Sequence, residues 1–73
     1  MSTTESGSVY KFTEFVGTSK KSWEDAVSNA VKSATKKYSD LRIAEVLKLD
    51  ATIEGGRVAT YRARINISYR YHV

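Results

Sequence analysis

The chain has 73 residues, a formal charge of +4, 41% hydrophobic residues and no Cys, which excludes disulfides, thiolate metal sites and Cys nucleophiles. This length allows one domain, and a domain so small buries only about 60% of the surface its unfolded chain exposes. With no disulfide to supplement a small core, partner subunits are the expected source of further stability.

Residues 1–8 are polar and are expected to form a disordered tail ahead of a single domain over residues 9–73. They lack the apolar stretch of a secretory signal, and no apolar run approaches the ~20 residues that span a bilayer. A soluble, cytoplasmic protein without membrane contact is expected. The positive charge invites a nucleic-acid reading. Glu14, Glu24, Asp25, Asp40, Glu45, Asp50 and Glu54 are interspersed among the bases, however, and no nucleic-acid motif is present, so nucleic-acid binding is not expected.

Residues 9–16 combine β-branched and aromatic side chains and stop at Gly17, the pattern of a first strand. Tyr10, Phe12 and Val16 share one parity while Val9 and Phe15 take the other, so both faces are expected to be partly covered. Residues 17–21 are predicted as a turn. Ser22 followed by Asp25 resembles a capping box with Asp in place of Glu or Gln, and Glu24 and Asp25 oppose the positive end of a helix dipole. Trp23, Ala26, Val27, Ala30, Val31, Ala34 and Tyr38 then recur at spacings of three and four, one apolar stripe of an amphipathic helix of about 16 residues.

Residues 41–53 read as a second strand in which Leu41, Ile43, Leu47, Leu49, Ala51 and Ile53 share a parity that Glu45 interrupts. Glu54-Gly55-Gly56 is a hairpin connection, since Gly takes the positive φ such turns require. In residues 57–72, Ala59, Tyr61, Ala63, Ile65, Ile67, Tyr69 and Tyr71 alternate with Thr60, Arg62, Arg64, Asn66, Ser68, Arg70 and His72. At about 3.4 Å per residue this third strand reaches roughly 50 Å, and a 16-residue helix covers only ~24 Å of it. The uncovered apolar remainder would invite aggregation unless identical subunits shield it. The elements therefore give an α+β chain in the order β-α-β-β, expected in an oligomer.

The chain resembles the dodecins. The resemblance is carried by Val9-Tyr10-Lys11, Gly17-Thr18-Ser19, Ser22-Trp23-Glu24 with Ala26, Asn29-Ala30, Ala44-Glu45-Val46, Ile53-Glu54, Gly56, Val58 and Tyr61, in order over nearly the whole chain. It implies a three-stranded antiparallel sheet wrapped around one amphipathic helix, in a hollow homododecamer with trimeric contacts, non-catalytic, that stores or sequesters flavin (riboflavin or FMN). Coenzyme A is implied as a second ligand of bacterial members. The flavin-binding members place a Trp immediately before the Ala/Phe-Glu-Val of the second strand, where this chain has Ile43. They place a ring-binding Gln after the third-strand aromatic, where this chain has Arg62. Loss of the aromatic platform removes about 0.5–1.5 kcal/mol of stacking preference beyond the lost contact area, so flavin binding is expected to be weak or absent. Trp23, at the helix start, is not expected to replace the platform.

Arg62, Arg64 and Arg70 share the polar parity of the third strand, and Arg42 and Lys48 share a parity of the second. If that face lines a chamber, the bases would attract phosphates or carboxylates, including those of coenzyme A. Alternatively they pair with Glu14, Glu45 and Asp50 of neighbouring subunits and only hold a structural shell together. Glu45 is read as an intersubunit salt-bridge partner in preference to a ligand or metal contact. Asp50 and Glu54 are a weaker cation candidate, and no metal site is assigned. His72 has no Ser or Cys to activate, no acid–base pair suggests a cleft, and no catalytic residue is expected.

Overall fold

The computed structural model describes residues 8–71, ordered as strand β1 (Tyr10–Ser19), helix α1 (Trp23–Thr35), strand β2 (Leu41–Glu54) and strand β3 (Arg57–Arg70). The expected β-α-β-β order is observed. The tail expected over residues 1–8 lies outside the described residues except for Ser8, whose Oγ accepts from Arg70 Nη2 at 3.1 Å; His72 also lies outside them.

The sheet is antiparallel with β3 in the centre, in the order β1-β3-β2. Gly55 (φ 59°) and Gly56 (φ 75°) form the two-residue turn between β2 and β3, the primed geometry that follows strand twist and requires positive φ at both positions. Side chains of β3 alternate cleanly. Ala63, Ile65 and Ile67 point to the helix and are buried, whereas Arg62 and Arg64 point to the opposite, outer face and are exposed.

Two expectations about β1 and α1 are corrected. The strand does not stop before Gly17; it runs to Ser19, with Gly17, Thr18 and Ser19 opposite Ala63, Arg62 and Tyr61. Gly17 permits this because the helix lies directly on it: a Cβ there would collide with the Ala26 carbonyl oxygen and stand 2.9 Å from Ala30 Cβ. The helix has 13 residues rather than about 16, with Lys36 as its C-cap. Tyr38 leaves the helical path to pack edge-on against Phe15 at 6.5 Å and, with its ring tilted by 31°, over Tyr69 at 4.7 Å. At the start, Ser22 is the N-cap and its Oγ accepts from Asp25 N at 3.0 Å. The Asp25 carboxylate does not reach back as in a full capping box; it accepts from Ser19 Oγ at 2.6 Å.

The single apolar parity expected of β2 is also corrected. Register shifts leave Arg42 and Leu47 as extra residues opposite β3, and each such bulge moves the following side chains to the other face. Leu41, Ala44, Val46, Leu49 and Ala51 are therefore level with helix-facing residues of β3, while Ile43, Glu45, Lys48 and Asp50 are level with Ser68, Asn66, Arg64 and Arg62 on the outer face. Glu45 thus does not break an apolar face, and the shared parity of Arg42 and Lys48 does not define one, because both bulges intervene.

The buried apolar core is Ala26, Ala30, Ala34, Ala63, Ile65 and Ile67. Four alanines and two isoleucines let helix and sheet approach closely but bury little volume. The helix lies over β1 and β3, leaving Val46 and Leu49 of β2 nearly half exposed on the helix side; Phe12, Val16, Ile43 and Ile53 are more than half exposed. The Cα radius of gyration is 15.8 Å, with extents of 61 × 20 × 14 Å, against about 11 Å for a compact chain of this length. One protomer is a thin slab without an interior of ordinary size.

Candidate functional site

The outer face of the sheet carries two concavities. The larger, about 460 Å³, is walled by Tyr10 and Phe12 of β1, Arg42, Ile43 and Glu45 of β2, and Asn66 and Ser68 of β3. Alternation along β1 sends Tyr10 and Phe12 outward while Phe15 goes to the core. The bulge at Arg42 turns Ile43 onto the same face. The result is an apolar hollow whose floor carries the small polar groups of Asn66 and Ser68, the make-up of a small-ligand site. Arg42 Nε lies 2.9 Å from Asp40 Oδ1 at its rim.

The smaller concavity, about 100 Å³, is formed by Val16, Lys48, Asp50, Arg62 and Arg64. Arg62 and Asp50 are directly opposite in register. The guanidinium donates from Nε to Oδ1 at 2.7 Å and from Nη2 to Oδ2 at 3.0 Å. That hydrogen bonding, with the positive charges of Arg62, Lys48 and Arg64, holds the Asp50 carboxyl below the usual carboxylate range; the same partner raises Arg62.

The sequence-predicted residues fall into separate groups. Arg42, Ile43 and Glu45 meet in the apolar hollow; Lys48, Arg62 and Arg64 meet in the basic one. Arg70 is at the far end of β3, six residues from Arg64 and about 20 Å away along the strand. Ile43 is level with Ser68, six residues from Arg62, so these two positions are also about 20 Å apart within one protomer. The pairing of Arg62 is with Asp50 of its own chain. Glu54 is four residues from Asp50, about 13 Å along β2, and among the described residues no group of three or more acidic or His side chains could hold a metal.

Sequence reasoning missed Tyr10, Phe12, Asn66 and Ser68 as site-forming residues. The signal was available: Tyr10 and Phe12 share the parity opposite Phe15, and two small polar residues interrupt the bases of β3. Trp23 donates Nε1–H to the Asp50 backbone oxygen at 2.9 Å and meets Tyr61 edge-on at 4.9 Å; its side chain lines neither hollow.

A three-stranded antiparallel sheet on one helix, with a ligand-sized hollow on the uncovered face and more exposed apolar surface than its small core buries, defines a class of small β-α-β-β proteins. The family model Dodecin matches residues 9–72, and the chain belongs to the dodecin family. It is 36% identical over 63 residues to the calcium dodecin of Mycobacterium tuberculosis, covering 86% of this chain and 89% of that protein. The crystal structure of a calcium dodecin from that organism, named for a calcium-binding site, superposes with a TM-score of 0.78 at 34% identity, over 88% of this chain and 91% of that one. The dodecin of Streptomyces coelicolor superposes with a TM-score of 0.89 at 33% identity, over 94% of this chain and 99% of that one.

Proposed function

We propose that this chain is a non-catalytic protomer of a closed homododecameric shell, with trimeric contacts, and that the outer face of its sheet lines a chamber that sequesters a small ligand. The observation that carries this reading is the mismatch between a core of four alanines and two isoleucines and the exposed Phe12, Val16, Ile43, Leu49 and Ile53. At about 25 cal/mol per Å², those side chains gain more from covering one another between copies than from anything one protomer offers them.

Flavin binding is weak or absent in this reading. Ile43 provides contact but no stacking platform, and Arg62 is engaged by Asp50. A flat ring touching both positions would have to be shared by two copies, because they are about 20 Å apart in one. Coenzyme A fits the same face through its phosphates and the basic hollow. A calcium site, suggested by the relative's name, would need carboxylates from more than one copy, since none of the required clusters forms among the described residues of one.

Light scattering on the purified protein tests the shell: the expected mass is about twelve times the 8.2 kDa of the chain, and a stable folded monomer would overturn the reading. Titration of riboflavin and FMN, followed by flavin fluorescence, tests the cargo. Little quenching at micromolar ligand is expected, and native mass spectrometry then identifies what the shell carries instead.

A further inference from the structure

Lys48 and Arg64 stand directly opposite each other on β2 and β3. Like charges in that relationship destabilise a strand pair. Both line the small outer hollow with Val16, Asp50 and Arg62. Asp50, the carboxylate of that hollow, has both oxygens occupied by the fork of Arg62. Three cations and one carboxylate leave a net charge of +2. Among the described residues, neither Lys48 nor Arg64 has a carboxylate within ion-pair distance. Glu14 and Glu45 are level with Asn66, one row away and about 7 Å along the strands, outside the lining of this hollow.

The geometry points to an oxyanion site of the phosphate class between Lys48 and Arg64, with the Arg62–Asp50 pair as its wall. Arg64 supplies a planar fork suited to two oxygens of a phosphoryl group and Lys48 a point charge from the opposite strand. Val16, level with Arg64 on its other side, supplies the apolar part of the hollow's lining. Binding there removes the cross-strand repulsion, so the anion stabilises the sheet that holds it. The site is complete within one protomer and does not depend on the shell. Its occupant is either free phosphate or the phosphoryl group of a larger ligand.

The test is calorimetric titration of the full chain with inorganic phosphate at constant ionic strength, with chloride as the control, alongside Lys48→Glu and Arg64→Gln. Lys48→Glu places opposite charges across the strands and keeps the fold, which circular dichroism checks; Arg64→Gln removes the fork. Saturable phosphate binding at millimolar concentration or tighter is expected for the parent chain, weakened at least tenfold in both variants. Comparison of FMN with riboflavin separates the two sources. An FMN preference of tenfold or more that disappears in Lys48→Glu assigns the site to the phosphoryl group of a larger ligand; equal affinities with phosphate binding retained assign it to the free ion. Heat no greater than that of chloride, or unchanged phosphate affinity in Lys48→Glu, overturns the proposal. Light scattering on the same samples reads the shell separately, so failure of the anion site and failure of assembly are distinguishable.

Discussion

Arg62 grips Asp50 from directly across the β2–β3 pair, closing two hydrogen bonds of 2.7 and 3.0 Å onto its two carboxylate oxygens. Arg62, which the resemblance would align with a ring-binding Gln, is thus committed to a partner on its own chain. A flavin edge would have to displace a bidentate, charge-assisted pair to use it, and Ile43 offers no aromatic platform in return.

The combined replacement Ile43→Trp with Arg62→Gln should therefore create flavin affinity. Stacking on Trp contributes about 0.5–1.5 kcal/mol beyond area, and a Gln hydrogen bond adds about 0.5–1.5 kcal/mol. Together these correspond to roughly a 30-fold tighter Kd for riboflavin, read by fluorescence quenching. Release of Asp50 costs little, because both partners are substantially solvated and exposed pairs contribute weakly. A double variant that keeps the native mass and still ignores flavin would place Ile43 and Arg62 outside the chamber.

Acid should loosen the junction between β1 and α1. The Ser19 hydroxyl is the main cause holding the Asp25 carboxyl below its usual range, opposed by partial burial and assisted by Lys21, Asn29 and Lys32. A folded-state pKa below the unfolded value of ~3.9 means that the unfolded chain takes up the proton first as pH falls. The stabilisation is present above that value and is lost as pH drops through the lower, folded one. Urea midpoints of the parent chain should fall below about pH 4, and Asp25→Asn should be less stable at neutral pH with a shallower acid loss. Parallel curves for the two proteins would show that Asp25 does not carry this linkage.

Gly17→Ala should damage the fold more than its single methyl suggests. The added Cβ has nowhere to go, since the Ala26 backbone oxygen and Ala30 Cβ already fill the space. Helix and strand must separate, and the loss should be about 2 kcal/mol or more, at the upper part of the range for overpacked cores. Denaturant unfolding measures it. A change under about 0.5 kcal/mol would mean that α1 shifts freely on β1.

Much of this architecture is legible in the residues. The alternation of β3 and the helix stripe of Ala26, Ala30 and Ala34 fix which faces meet, and Gly55-Gly56 marks the hairpin. What parity counting cannot see is a bulge, because an inserted residue leaves no compositional mark when its neighbours are all acceptable strand formers. Arg42 and Leu47 are two such insertions, so parity alone puts Ile43 and Glu45 on the face of Leu49 although they look outward with Lys48. The continuation of β1 beyond Gly17 was hidden for a related reason: glycine marks a turn in most sequences, and here it marks a close approach of helix to strand. The Arg62–Asp50 pair is unreadable for the same reason: a further shift between Thr52 and Ile53, which leaves Ala59 as an extra residue of β3, decides which acid each base beyond the hairpin meets.

The bare inner edge of β2 provides the most direct separation of folding from assembly. Leu49 lies on the helix side of the sheet level with Ala63, yet it remains 47% exposed because α1 lies over β1 and β3 instead. A core residue would not tolerate a charge, whereas a residue buried only between copies tolerates it in the isolated protomer. Leu49→Lys should therefore preserve the circular dichroism spectrum at low concentration while lowering the mass seen by light scattering, because a Lys buried against a second copy without a partner is strongly disfavoured. Loss of the spectrum together with the mass would indicate that the protomer has no fold apart from its neighbours. Retention of full mass would show that this strip of β2 faces solvent in the assembly and that other exposed side chains, such as Phe12 and Ile53, make the contacts.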